Sequence, residues 1–221
     1  MLLTKPAVLR ARDEGRLRID PFVPENIGSN SVDVRLGHWV FRQSTGPMST
    51  LLNPWNRGSV EQHWRGPFRL SSTASLVMQG VLRRQDVAPF TDETEVLLLA
   101  PGECVLAHTI EAVGGLDLRI TAKMQARSSI GRSNITVCAC AGLGDIGFNQ
   151  RWTMEIRNCN PHSHVLLPVG GRVAQIVLFE GEAVAGEDAY RGKYQDDEPW
   201  RPSAMLPAAY KDREFGTEET R

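Results

Sequence analysis

Glu95-Val96-Leu97-Leu98-Leu99-Ala100-Pro101-Gly102-Glu103-Cys104-Val105-Leu106-Ala107-His108-Thr109-Ile110-Glu111 decides the fold class. A short apolar run meets a Pro-Gly turn, and a second β-prone run follows. Downstream the same punctuation repeats. Leu118 to Met124, Ile135 to Ala141, Trp152 to Asn158 and Val173 to Phe179 read as further strands, with Gly or Pro in every gap. Short strands at this spacing predict an all-β barrel or jelly roll.

Upstream, the chain opens with a helix. Thr4 is placed to cap it, Pro6 suits its first turn, and Gly15 ends it. Leu17 to Asp20 alternates before Pro21 and Pro24 break the pattern. Ser31 to Leu36 alternates again, with its polar residues on one face. Residues 43 to 72 are rich in Gly, Pro, Ser and Asn around Trp55 and Trp64, and read as long loops with short strands or helical turns. The one other helix candidate is Ser129 to Arg132. The tail after Gly186 is charged, carries Pro199 and Pro202, and is expected to be mobile in isolation. With neither repeats nor a linker, residues 1–221 read as one domain, about 186–221 forming its C-terminal lid or tail.

At 221 residues the chain is long enough for a sizeable core. Its 25 Lys and Arg balance 26 Asp and Glu, which argues against a nucleic-acid coat or a polybasic membrane binder. No apolar run approaches the ~20 residues of a membrane span, and the first residues lack a signal-peptide core. The expectation is therefore a cytoplasmic protein with free thiols at Cys104, Cys138, Cys140 and Cys159. On a strand, Cys138 and Cys140 would share a face. His162 and His164 follow Asn160-Pro161 and read as an exposed loop rather than a metal pair.

Two stretches carry chemistry. Ala126-Arg127-Ser128-Ser129-Ile130-Gly131-Arg132 sets two guanidiniums and two hydroxyls around a tight turn, a composition suited to phosphate. Taken alone, such a turn is more often a solvated loop. In Trp152-Thr153-Met154-Glu155-Ile156, Glu155 lies between apolar neighbours. If Met154 and Ile156 face the core, Glu155 faces either solvent or a pocket. In a pocket its carboxyl would lose water and its pKa would rise, as a general acid/base needs. Asp145, in the Gly-rich Ala141 to Phe148 turn, is equally readable as a turn residue.

In order, these segments resemble the dCTP deaminase branch of the deoxyuridine triphosphatase superfamily. The resemblance runs through Asp13-Glu14-Gly15-Arg16-Leu17, Asn30 to Gly37, Leu99 to Glu103 and Thr109-Ile110-Glu111. It continues through Ala126 to Ser129 with Arg132, Ala141 with Asp145-Ile146-Gly147-Phe148, and Glu155 ten residues beyond Asp145. Gly171 to Gln175 and Gly192-Lys193-Tyr194-Gln195 complete it. Roughly 43 to 92 lie outside it.

The resemblance implies a mainly β, distorted β-barrel or jelly roll of the dUTPase-like type, with an N-terminal helix and few short helices. It implies a homotrimer with three active sites shared at its interfaces, acting on dCTP or dUTP with Mg²⁺ carried by the triphosphate and no zinc. The H-x-E and P-C-x-x-C ligands of zinc deaminases are missing from the sequence. By the same resemblance Glu155 activates water for attack on C4 of cytosine. Ser128 and the backbone at Ala141 hold that water, and Arg132 positions Glu155 and stabilises charge. Arg127, Ser129, Lys193 and Gln195 would contact phosphates, Asp145 the deoxyribose 3′-OH, and Thr153 the nucleotide. Arg172 and Gln175 would support triphosphate or trimer contacts.

Three departures stand out. Gln150-Arg151 replaces a usual Gly before the catalytic strand, Gly142-Leu143-Gly144 replaces a bulkier stretch, and Asp196-Asp197-Glu198 puts acids in the tail. The leading reading is deamination of dCTP to dUTP and ammonia. The alternatives are a bifunctional enzyme giving dUMP and pyrophosphate, a pure dUTP pyrophosphatase, a non-catalytic nucleotide-binding trimer, and a modified cytosine nucleotide as substrate.

Overall fold

The structure, a computed structural model, describes residues 1–44, 51–192 and 199–207. Helix α1 (Lys5–Asp13) buries Val8 and Ala11. Thr4 occupies its N-cap without a side-chain hydrogen bond, and Gly15, at φ +71°, ends the turn after it. There follow β1 (Leu17–Asp20), β2 (Val32–Gln43), α2 (Arg57–His63), β3 (Trp64–Arg69), β4 (Ser71–Ser72) and α3 (Thr73–Met78). The second half is nearly all β: β5 (Glu95–Leu99), β6 (Cys104–Gly115), β7 (Ile120–Ala126), then α4 (Ser128–Arg132), β8 (Ile135–Thr136), β9 (Leu143–Gly144), β10 (Arg151–Asn158), β11 (Val165–Pro168) and β12 (Arg172–Glu180).

A nine-stranded sheet runs β8-β10-β6-β2-β12-β7-β9, with β1 on β6 and β3 on β2, and a three-stranded sheet runs β11-β5-β4. The expected mainly β class, with an N-terminal helix and few short helices, is what the chain adopts. Val32, Val34 and Leu36 of β2, Met154 and Ile156 of β10, and Ile176 and Leu178 of β12 are buried in one core. Each such side chain contributes ~1.5–3 kcal/mol relative to exposure. Among the described residues, no helix is long and apolar enough to cross a membrane.

Three local expectations are corrected. The 135–141 strand stops at Thr136, because Cys140 takes a left-handed φ of +70° and its N–H donates to the Cys138 carbonyl. Cys138 and Cys140 therefore do not share a strand face; Cys138 is half-buried and Cys140 exposed. Beyond α1, the sequence predicts one helix, Ser129 to Arg132, yet α2 forms within 43–72 and α3 directly after it. Asn56 caps α2 by accepting from Ser59 N–H, and Ser72 caps α3 by accepting from Ser75 N–H.

Pairing makes the sheet two-sided at one place. Ala107 is opposite both Met154 and Val40 on the core side. Leu106, one residue earlier, is opposite both Glu155 and Phe41 on the outer side. Phe41, Leu106 and Met205 form a second buried cluster there, with Trp39, Trp64, Trp200 and Leu206 packed on it. Thus β6 is covered on both faces and shows near-continuous burial instead of alternation.

Candidate active site

Glu155 occupies the outer face of β10. Trp152, Met154, Ile156 and Asn158 are buried inward, whereas Arg151, Thr153 and Glu155 are half-buried on the other side. That side is a cavity of about 600 Å³, mostly apolar in its lining. Its polar wall includes Asp145, Arg151, Thr153, Glu155 and Tyr190, with Ala141 beside them. The rest of its cover comes from two distant segments: Leu52, Pro54, Val60 and Trp64 on one side, and Ala204, Met205 and Pro207 on the other.

This cover explains the electrostatics. Loss of water raises the Glu155 carboxyl above the usual carboxylate range, outweighing backbone N–H groups that pull it down. One of these is Ala139 N–H, which donates to Glu155 Oε2 at 3.3 Å. Burial also raises the thiols of Cys104 and Cys138, each of which feels the Glu155 charge. The pocket alternative for Glu155 is therefore the one realised.

The glycine-rich turn is shaped by packing. A side chain at Gly144 would collide with the Trp152 indole, and one at Gly142 with the Met124 carbonyl. Trp152 Nε1 donates to Val113 O at 2.9 Å. Phe148 meets Trp152 edge-on at 5.3 Å and Tyr190 at 6.0 Å. Asp145 is exposed at the cavity rim and its side chain makes no hydrogen bond among the described residues. It is thus not consumed by its own turn.

Other expected site residues lie elsewhere on the same chain. Ser128, Ser129 and Arg132 sit on α4, exposed and outside the cavity lining. Arg127 precedes that helix, with its guanidinium on the Asp33 carboxylate, where Arg172 also reaches at 3.3 Å. Gln175 is on β12, in register with Asp33 and Gln125. Lys193 and Gln195 lie outside the described residues. The Asp33-Val34-Arg35 alternation gains a reason: Arg35 N–H and guanidinium both bind fully buried Glu111.

A sequence model described as dCTP deaminase-like matches residues 2–181. The chain belongs to the dCTP deaminase-like family. Members similar to it include a Bifidobacterium longum (strain DJO10A) protein named "dCTP deaminase, dUMP-forming", 32% identical over 217 residues, covering 96% of this chain and 97% of the relative. A Streptomyces griseus protein of the same name is 31% identical over 199 residues, 88% of this chain and 90% of that one. A solved 2′-deoxycytidine 5′-triphosphate deaminase from Agrobacterium tumefaciens shares the fold, with a TM-score of 0.54 at 17% identity. It matches 84% of this chain, which spans half of the length of that one.

Sequence reasoning missed the cover of this cavity. Trp64 was visible as an anchoring aromatic, but nothing local ties Leu52, Val60 or Met205 to Glu155. Arg151 was visible only as a departure, and it lines the cavity.

Proposed function

We propose that this chain hydrolytically deaminates dCTP and carries the product on to dUMP and pyrophosphate. The observation that carries the reading is the partly desolvated Glu155 carboxyl, set in a half-covered cavity with Asp145, Thr153 and Ala141. Ionised Glu155 takes a proton from water as its oxygen bonds to C4. Glu155 passes that proton to N3, then carries the proton of the new C4 hydroxyl to the amino group; the C4–N bond breaks as the C4 carbonyl forms, and ammonia leaves. The relatives' printed names favour the dUMP product over release of dUTP. For that second step Asp145, Glu155 or both would activate a water for attack on the α-phosphate.

The site is completed between subunits of a homotrimer. Arg132 and Ser128 make no side-chain hydrogen bonds among the described residues and are exposed, apart from their own chain's cavity. Presented to a neighbour, they would hold the attacking water and steady Glu155 there, with Arg127, Ser129, Lys193 and Gln195 on the phosphates. Among the described residues no cluster of three or more His, Cys, Asp or Glu suits a metal. By the family resemblance Mg²⁺ would be carried by the nucleotide's own phosphates, where it would neutralise charge.

The test is incubation of the purified protein with dCTP and Mg²⁺, with products resolved by chromatography. Ammonia, dUMP and pyrophosphate in equal amounts are expected. Release of dUTP alone limits the activity to deamination. Turnover of dUTP without dCTP replaces the reading with a pyrophosphatase.

A further inference from the structure

The C-terminal segment from Pro199 to Pro207 packs over the outer face of β2 and β6, beside Arg151 of β10. Its 3₁₀ turn, Pro202–Met205, buries Ala204 and Met205. Met205 joins Phe41 and Leu106, and Leu106 is the cross-strand neighbour of Glu155. Trp200 anchors the segment. Its ring lies 4.3 Å from the His108 imidazole, inclined by 38°, and the Arg151 guanidinium sits over it at 5.0 Å from the centroid. His108 is a rigid seat. Its ring fills the space a Gly37 side chain would need, its Nδ1–H donates to Thr109 O at 2.8 Å, and its Nε2 accepts from Trp39 N–H at 3.3 Å.

We infer that Trp200 is a positioning residue for Glu155: held by His108 and Arg151, it seats the C-terminal segment as a wall of the cavity and keeps water from the carboxylate. The inference rests on Glu155 being the base. The charges around Glu155 show why the effect is one of solvation. Asp145, Arg151 and Tyr190 share the cavity lining, and Cys138 and Cys104 stand near from the 137–140 turn and β6. Among the described residues, the two covering segments bring uncharged side chains to that lining, Val60, Trp64 and Met205 among them. Removing the Trp200 ring deletes no charge but loosens the wall and admits water, which favours the ionised carboxylate.

The experiment measures kcat/KM for dCTP against pH in the full-length protein and in Trp200→Ala, Trp200→Phe and Met205→Ala, with Mg²⁺ present. Trp200→Ala should move the acid limb to lower pH by about half a unit or more, with a roughly tenfold lower plateau as the base weakens and water enters. Trp200→Phe, which keeps a ring on His108, should stay close to the parent. An acid limb in Trp200→Ala that coincides with the parent overturns the inference. If Trp200→Ala fails to fold, as judged by circular dichroism and gel filtration, Met205→Ala decides, by the same direction of shift or its absence. Glu155→Gln runs in parallel. If it still releases ammonia, the assignment of the base fails; if it is inactive while the acid limb stays fixed in the folded wall variants, only the role of Trp200 fails.

Discussion

Glu155 and Leu106 are cross-strand neighbours on the outer face of the sheet, so the carboxylate ends a row of apolar side chains that continues to Phe41. A group ionisable in water is placed against a leucine under a covered surface. That relationship, rather than a nearby charge, is what raises its pKa.

The first prediction is the pH dependence of deamination. The base works ionised, so turnover rises with pH through the pKa of Glu155. Because burial raises that pKa, half-maximal kcat/KM lies above the ordinary carboxylate pKa of 4.5. A rate–pH profile of ammonia release from dCTP checks this. A profile flat down to the ordinary carboxylate range contradicts it.

A second pH effect belongs to stability. Burial pushes the His108 pKa down to about 4 from 6.5, outweighing its bond to the Thr109 carbonyl. Above 6.5 both folded and unfolded chains hold it neutral. As pH falls from 6.5 towards 4, the unfolded chain takes a proton that the folded chain refuses, and stability drops. Below about 4 this group costs nothing further. Urea midpoints over this range, compared with His108→Asn, should show a loss in the parent that is reduced in the variant.

The proposed sharing of the site between subunits gives a third expectation. Arg132→Ala and Glu155→Gln should each be inactive alone. Mixed trimers refolded from equal amounts of both would unite an intact Glu155 with a neighbour's intact Arg132 in about a quarter of sites. Ammonia release should therefore reappear. Continued silence in trimers shown to be mixed would place both residues in one chain's site.

Packing of the glycine-rich turn supplies a fourth. Gly144→Ala sets its new carbon against the Trp152 ring, which is held by its bond to Val113 O. The expected cost is about 1–3 kcal/mol in denaturant unfolding. Cys138→Ala, which removes a half-buried thiol bonded at 3.4 Å to Met124 O, should cost less and leave turnover intact.

Much of this was legible in the sequence because it is local. The Glu95–Leu99 strand has the expected limits, and of the arrangements left open around Glu155 the one with Met154 and Ile156 inside is adopted. Failures occur where distant contacts decide. The run after Thr136 has strand composition, yet the left-handed Cys140 turns it to bring Ala139 N–H onto Glu155. Residues 52–64 and 199–207 look like loop and tail, and only tertiary packing reveals them as the cavity's cover. Arg151 read as an oddity of the turn; beside Trp200 it becomes part of an anchor.

The most direct test of the central claim compares the parent with Glu155→Gln for ammonia release from dCTP and, separately, for dCTP binding with Mg²⁺. The account predicts that the variant folds and binds nucleotide but releases ammonia at least 10²-fold more slowly, about the contribution of a general base. Near-parental ammonia release by Glu155→Gln would contradict it.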